Sequence, residues 1–312
     1  MLKIFKIKRT IGLILIVGSL VLSLSGCGEK REFFLSQYRG RNLVMDSDGN
    51  QYRIAFKTKF PHGYGDEISV YKSTDGQNWE RVSTIPAFGY EVYEVWGYSL
   101  VSDGRNTLGF VYIGTGKGKK AVYFTKSLDN GNTWTKPVPV NDDIRAQRNY
   151  PEIAIREKNI FVAWLEESEG SVFGEGRPSG IYFCSSDDGG ENWSEDVRLR
   201  EGEDISIKVG PDGGIWLVYV GGKRQNIIYL SYSKDNGKNW YSETTGELPV
   251  MVKDPYIAFA GRSIYLIFQG ARPNISHLIP GSKLDYYVYY LKSDDEGRRW
   301  SKMIKIEGKG GG

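Results

Sequence analysis

One phrase, S-x-D-x-G-x-x-W, recurs along this chain and holds five of its eight tryptophans. Full copies run through Ser127, Asp129, Gly131 and Trp134; Ser186, Asp188, Gly190 and Trp193; Ser233, Asp235, Gly237 and Trp240; and Ser293, Asp295, Gly297 and Trp300. A shortened copy, Ser73, Asp75, Gly76 and Trp79, lacks the residue between Asp and Gly. These residue types suit a tight hairpin. The carboxylate accepts backbone N–H groups of its own turn, Ser adds a short hydroxyl, Gly supplies a positive φ, and Trp covers the base with apolar surface. That is structural chemistry rather than bond cleavage. A second set, Arg145, Arg148, Tyr150, Asp254, Tyr256 and Arg272, has the types that recognise a ligand, since arginine grips the carboxylate of an acidic sugar or peptide in bidentate fashion.

Other chemistries find no pattern. Asp46-Ser-Asp48-Gly-Asn50 opens like a calcium loop, but Lys57 stands where a bidentate Glu is required, and the stretch reads as a turn between strands. The glycines and lysines from Gly114 to Lys120 lack Walker spacing and its closing Ser/Thr. Two histidines and Cys184, outside the N-terminal leader described below, make no metal cluster, and no cofactor is implied. Cys184 lies in the alternating run IYFCSS and reads as a small core residue. A Ser–His–Asp set stays open, because such groups meet in space and not in sequence.

The phrases need strands to hold them. A period-2 run precedes Ser127, Ser233 and Ser293, in the last case Tyr286-Tyr-Val-Tyr-Tyr-Leu. Farther upstream, apolar runs flank a turn, as in Ser206–Val209 and Ile215–Tyr219 around Gly210-Pro-Asp-Gly213. A short strand after each Trp completes a unit of four antiparallel strands. The five tryptophans are 55, 59, 47 and 60 residues apart. A four-stranded unit at that spacing is the signature of propeller blades, which cover one another's faces around an axis. The fold class is therefore all-β, a β-propeller of four-stranded antiparallel blades. Five units start near Asn42, Tyr93, Tyr150, Asp204 and Pro255, so five blades are expected, with six as the alternative.

The phrase resembles the Asp-box, or BNR repeat, of sialidases and related propellers, over nearly all of the chain after its first residues. The resemblance implies peripheral, structural boxes and a binding face at the axis. It also implies, for a sialidase, three arginines for a carboxylate, an Asp acid/base, and a Tyr nucleophile assisted by Glu. The Arg-Ile-Pro motif of that family has its nearest counterpart in Tyr52-Arg53-Ile54-Ala55, with Ala in place of Pro. Arg53 falls on a second strand, and the stretch that would carry the acid/base Asp is missing. In a propeller the connections into the innermost strands share one face with the loops between second and third strands. That face should collect Glu91, Tyr93, Glu94, Arg145, Arg148, Tyr150, Asp204, Lys253, Asp254 and Tyr256. Long loops add Phe173 and Arg177 between Glu166 and Gly180, and Arg272 and His277 between Gln269 and Asp285, with His62 in the first unit. Taken singly, such charges also serve as solvated loop residues. The expectation is an axial face that binds a glycan or protein, with a diverged sialidase-like hydrolase as the alternative.

At the N-terminus Lys3, Lys6, Lys8 and Arg9 precede an apolar stretch from Ile11 to Leu24, then Leu24-Ser25-Gly26-Cys27. This reads as a secretory signal over residues 1–26 closing in a bacterial lipobox, with Cys27 acylated and the bilayer as a partner. Residues 27–41 read as a linker and 42–312 as the propeller. The formal charge of +3 includes the leader's basic residues, so the remainder is close to neutral. Lys and Arg are scattered, which argues against nucleic acid.

Overall fold

The computed structural model describes residues 32–33, 43–59, 64–86, 90–91, 97–114, 121–142, 147–167, 178–272 and 285–309. Every regular element among them is a strand. Five antiparallel sheets follow one another along the chain, and together they make a five-bladed β-propeller. Blade 1 contains β1 (Glu32–Phe33), β2 (Leu43–Met45), β3 (Gln51–Lys59), β4 (Tyr64–Ser73), β5 (Glu80–Ile85) and β6 (Tyr90–Glu91). Blade 2 is β7 (Tyr98–Ser102), β8 (Leu108–Gly114), β9 (Ala121–Ser127) and β10 (Val138–Pro139). Blade 3 is β11 (Gln147–Arg156), β12 (Asn159–Glu167), β13 (Gly180–Ser186) and β14 (Val197–Arg200). Blade 4 is β15 (Glu203–Val209), β16 (Ile215–Gly221), β17 (Ile227–Ser233) and β18 (Tyr241–Thr244). Blade 5 is β19 (Met251–Ala260), β20 (Ser263–Ala271), β21 (Tyr287–Ser293) and β22 (Ile304–Lys309). Blade 1 departs from the four-strand pattern. Its β1 lies in the stretch read as linker, and β1 and β2 share one edge of β3, at Phe56–Lys57 and Gln51–Arg53 respectively.

The apolar alternation explains how blades meet. Along each strand alternate residues face opposite neighbours. In β12, Ile160, Val162 and Trp164 join the cluster between blades 2 and 3, while Phe161, Ala163 and Leu165 join the one between blades 3 and 4. Similar clusters join blades 1 and 2 around Tyr52, Phe110 and Tyr112, and blades 4 and 5 around Trp216, Leu266 and Phe268. Both faces of the middle strands are buried, which is why β8 is buried throughout.

The recurrent turns stand at the β4–β5, β9–β10, β13–β14, β17–β18 and β21–β22 connections. In each full copy the Ser hydroxyl donates to the Asp carboxylate, at 2.7 to 2.9 Å, and accepts the Gly N–H at 2.8 to 2.9 Å. The carboxylate then accepts the N–H four residues on, from Thr133, Asn192, Asn239 and Arg299. The residue between Asp and Gly is left-handed: Asn130, Asn236 and Glu296 have φ of 59°, 59° and 61°, and Gly189 has 83°.

The Gly and Trp of a turn act on the blade before. A Cβ on Gly190 would stand 2.3 Å from Phe124 Cε1, and one on Gly237 2.3 Å from Phe183 Cε1. Trp193 packs edge-on to Phe124 at 5.4 Å, Trp240 to Phe183 at 5.2 Å, and Trp134 Nε1 donates to Ser83 Oγ of blade 1 at 3.1 Å. The first copy differs. Trp79 lies under the guanidinium of Arg53 in its own blade, 4.0 Å from the ring centroid. Arg53 is thus committed to a peripheral tryptophan, on the second strand as its sequence position implies.

Asp46 sits in the β2–β3 turn. Its carboxylate accepts the N–H groups of Asp48 and Asn50, the Asn50 amide and the Tyr52 hydroxyl, at 2.9 to 3.0 Å. Burial opposes ionisation there, but these hydrogen bonds outweigh it and hold the carboxyl below its ordinary range.

Candidate functional site at the axial end of blades 3 to 5

Three innermost strands break register at the same place. In β11 the slip lies between Asn149 and Glu152, in β15 between Glu203 and Ser206, and in β19 between Lys253 and Tyr256. Inside each slip one non-glycine residue is left-handed: Tyr150 at φ 55°, Asp204 at 50° and Asp254 at 50°. Each is followed three residues later by a buried isoleucine, Ile153, Ile207 or Ile257, so the positions are equivalent. A left-handed L-residue costs about 1–2 kcal/mol, and bulges of this kind re-aim side chains at a strand end. Here they do so at the axial end, where the innermost strands begin.

The bulges of blades 4 and 5 touch. Asp254 donates its N–H to Asp204 Oδ2 at 3.3 Å, and the Gln269 amide donates to Asp254 Oδ2 at 3.3 Å. Gln225 donates from its side chain to Glu203 Oε2 at 2.8 Å and accepts the Val252 N–H on its carbonyl at 2.7 Å. Two residues after each left-handed one stand Glu152 and Ser206, both buried, and Tyr256, which is 43% exposed. Lys208 Nζ lies 5.0 Å from the Tyr256 ring centroid.

A second regularity ends strands two and three. Stacked aromatic pairs face each other across the register: Tyr112 with Tyr123, Trp164 with Tyr182, Tyr219 with Tyr229, and Phe268 with Tyr289, at 5.3 to 6.2 Å between centroids. Two residues after the first aromatic comes Gly114, Gly221 or Gly270, against whose Cα a ring of the pair is pressed. Blade 3 has Glu166 there instead. It is 1% exposed, and its Oε2 accepts the Trp164 Nε1–H at 3.2 Å. A buried carboxylate in the place of a repeated glycine is the sharpest departure from the repeat. It is set opposite Arg148 in the β11–β12 register.

Of the residues singled out in the sequence, Tyr150, Asp204 and Asp254 occupy the bulges, and Tyr256 follows the last of them. Arg148 lies on β11 just before its bulge, and Arg272 is exposed directly after β20. Lys253 Nζ lies 5.0 Å from the Tyr286 ring. Glu91 is on β6, while Cys27, His62, Tyr93, Glu94, Arg145, Phe173, Arg177 and His277 lie outside the described residues. Cys184 is fully buried, its Sγ 3.9 Å from the Val140 carbonyl, and burial pushes its thiol well up. Sequence reading missed Glu152, named Glu166 only as a loop boundary, and gave Gln269 no role beyond the same. The signal for Glu166 was present as the broken aromatic-x-Gly pattern. Among the described residues no group of three or more His, Cys, Asp or Glu is arranged to hold a metal.

No family model and no curated protein matches this chain. Solved structures do. An α-L-arabinofuranosidase from Fusarium graminearum in complex with an iminosugar inhibitor superposes with a TM-score of 0.53 at 14% identity, over 77% of this chain and 71% of that one. An α-L-arabinanase from Penicillium chrysogenum complexed with arabinobiose gives 0.52 at 16%, over 79% and 75%. A Hadza microbial sialidase gives 0.54 at 17%, over 86% of this chain but 58% of its own. At such identities the likeness is one of fold, and in fold the chain is a five-bladed β-propeller.

Proposed function

We propose that this protein is a membrane-anchored, extracytoplasmic propeller that recognises a glycan at its axial end, through the bulge residues Tyr150, Asp204 and Asp254 with Gln269 beside them. The carrying observation is the threefold placement of non-glycine residues at positive φ where glycine would be unstrained. Strain repeated at one end of a scaffold points to side chains needed there. Carboxylates and an amide joined by hydrogen bonds offer acceptors and donors to sugar hydroxyls, and Tyr256 adds an exposed ring for stacking. Proteins of similar fold whose names describe arabinan- and sialic-acid-processing enzymes support a glycan over a peptide. The anchor rests on the lipobox around Cys27.

The test is calorimetric titration of the purified protein with arabino-, sialyl- and uronate-containing oligosaccharides. Asp254→Asn keeps the side chain's size and tolerates positive φ, so it should fold as the parent does. It should bind about tenfold more weakly, the loss of one charge-assisted contact. Saturable binding untouched by this change, or no binding to any glycan, would overturn the reading. A second reading, glycoside hydrolysis, is favoured by buried Glu166. Parity places it on the blade-2 side of its sheet and Glu152 on the blade-4 side. Most glycoside hydrolases flank the scissile bond with two carboxyls, sialidases replacing one with a Tyr nucleophile, so a two-carboxyl hydrolase here would draw on Glu166 with a partner other than Glu152. Release of fluorophore from an aryl arabinofuranoside or sialoside, abolished by Glu166→Gln, would establish it.

A further inference from the structure

The residue between Asp and Gly in the repeated turn is asparagine in two blades, giving Asp129-Asn130-Gly131 and Asp235-Asn236-Gly237. These are the two Asn-Gly pairs of the chain. Blade 3 has Gly189 at that position and blade 5 has Glu296, neither of which carries an amide. An asparagine followed by glycine can react with its own main chain. Glycine has no side chain to hinder the approach, so its nitrogen, after losing its proton to hydroxide, can attack the asparagine Cγ. The N–Cγ bond forms, the Cγ–Nδ2 bond breaks, and ammonia leaves behind a cyclic imide. Water then opens the ring at either carbonyl, giving aspartate or isoaspartate.

The two turns share a backbone but not their surroundings. Asn130 and Asn236 both have φ of 59°. The Gly131 N–H donates to Ser127 Oγ at 2.8 Å, and the Gly237 N–H to Ser233 Oγ at 2.9 Å. The nucleophile is therefore restrained alike in both. The electrophile is not. Asn236 Oδ1 accepts from Arg156 Nη2 at 2.6 Å, and Asn236 Nδ2 donates to Asn159 Oδ1 at 3.2 Å. Blade 3 thus holds both ends of that amide, and Cγ can turn toward the Gly237 nitrogen only when both bonds break. Asn130 is half-buried and tied through its main chain, its N–H donating to the Asn106 carbonyl at 2.9 Å. Among the described residues no hydrogen bond holds its side-chain amide.

We infer that Asn130-Gly131 is a site of spontaneous deamidation in the folded chain, while Arg156 and Asn159 protect Asn236-Gly237. The product has a structural consequence. Isoaspartate adds one carbon to the main chain where Gly131 meets blade 1. The Gly131 carbonyl accepts the Ser83 hydroxyl, and accepts Trp134 Nε1–H at 3.2 Å. A Cβ on Gly131 would stand 3.4 Å from Val70 Cγ1. The lengthened turn should loosen the seam between blades 1 and 2.

The experiment incubates the full chain, in detergent, in mildly alkaline buffer. Mass spectrometry of its peptides follows both sites, and an isoaspartyl methyltransferase scores isoaspartate. Asn130 should convert at least about tenfold faster than Asn236, where two hydrogen bonds must break first. Asn159→Ala frees one end of the Asn236 amide and should narrow the gap. In urea the two sites should convert at nearly equal rates. The isoaspartate form should melt below Asn130→Asp, which carries the same charge without the extra main-chain carbon. Equal rates in the folded chain, a faster Asn236, or an Asn130 that stays intact while the unfolded chain converts would overturn the site. A gap that persists in urea would overturn the protective role of Arg156 and Asn159. An isoaspartate form as stable as Asn130→Asp would overturn the loosened seam.

Discussion

The aspartates of the repeated turns show how a solvent-facing carboxylate gains structural weight. Asp235 is held down to about 2, first by the Asn239 side-chain amide and next by the Asn239 backbone N–H, with Ser233 adding a third hydrogen bond. Asp75 and Asp188 are lowered further, led in each case by the backbone N–H of the following asparagine. A folded-state value below the unfolded one means that the group stabilises the fold at pH above the ordinary carboxylate value. That contribution is lost as pH falls through the folded value. Melting temperature should therefore drop between about pH 4 and pH 2. Asp235→Asn should melt lower than the parent at neutral pH, and the two curves should converge only below about pH 2, where the Asp235 carboxyl is protonated in the folded state as well. Curves that stay parallel down to that pH would show that the charge of Asp235 does not matter. This much was legible in sequence, because Ser, Asp and Gly act within one turn. The role of the tryptophan was only half legible: the hairpin it covers is local, but Phe124 and Phe183 belong to the preceding blade and no spacing announces them.

Strands were legible where periodicity declares them, but their irregularities were not. A register slip such as that between Glu203 and Ser206 is a relation between two strands, so neither strand's own pattern reveals it. The same holds for the inner edge of blade 1, where Glu32–Phe33, read as linker, supplies a strand because Lys57 and Phe56 have an open edge. The strain reading of the bulges makes a direct prediction. Asp204→Val puts a β-branched residue at φ 50° and should destabilise the protein by about 1–3 kcal/mol, whereas Asp204→Asn should stay within about 0.5 kcal/mol. Urea denaturation of the two variants measures this. Equal stability of the valine and asparagine variants would mean that the bulge relaxes freely and stores no strain. Glu166 teaches the complementary lesson. Only after aligning Tyr112-x-Gly114, Tyr219-x-Gly221 and Phe268-x-Gly270 does Trp164-x-Glu166 stand out, and that alignment needs the blades to be known first.

Five blades were countable from five phrases, since each phrase belongs to one sheet and propeller sheets follow in chain order. Stability, however, is not shared evenly around the ring. Among the described residues, blades 2, 3 and 4 have large clusters on both faces, whereas blade 5 has one on its blade-4 face and alternates buried with half-buried residues along β20. Tyr290, the counterpart of Phe124 and Phe183, packs against Tyr265 of its own blade at 6.2 Å, and Trp79 packs against its own Arg53. Amide exchange should then be slowest in β11–β13 and β15–β17 and faster in β3–β5 and β20–β22, because local opening begins where fewest apolar contacts are lost. Uniform protection across all five blades would refute this. The last prediction concerns where the whole molecule resides. If Cys27 is the acylated residue, its lipid chains are expected to hold the propeller at the membrane. Two or more chains anchor stably, and one gives only marginal, reversible binding. Cys27→Ser, expressed in a bacterial host, should move the protein from the membrane fraction to the soluble extracytoplasmic one, with folding unchanged because residue 27 precedes every described strand. Metabolic labelling with an alkyne fatty acid should mark the parent and not the variant. A variant that sediments with membranes as fully as the parent would show that something other than Cys27 holds the propeller there.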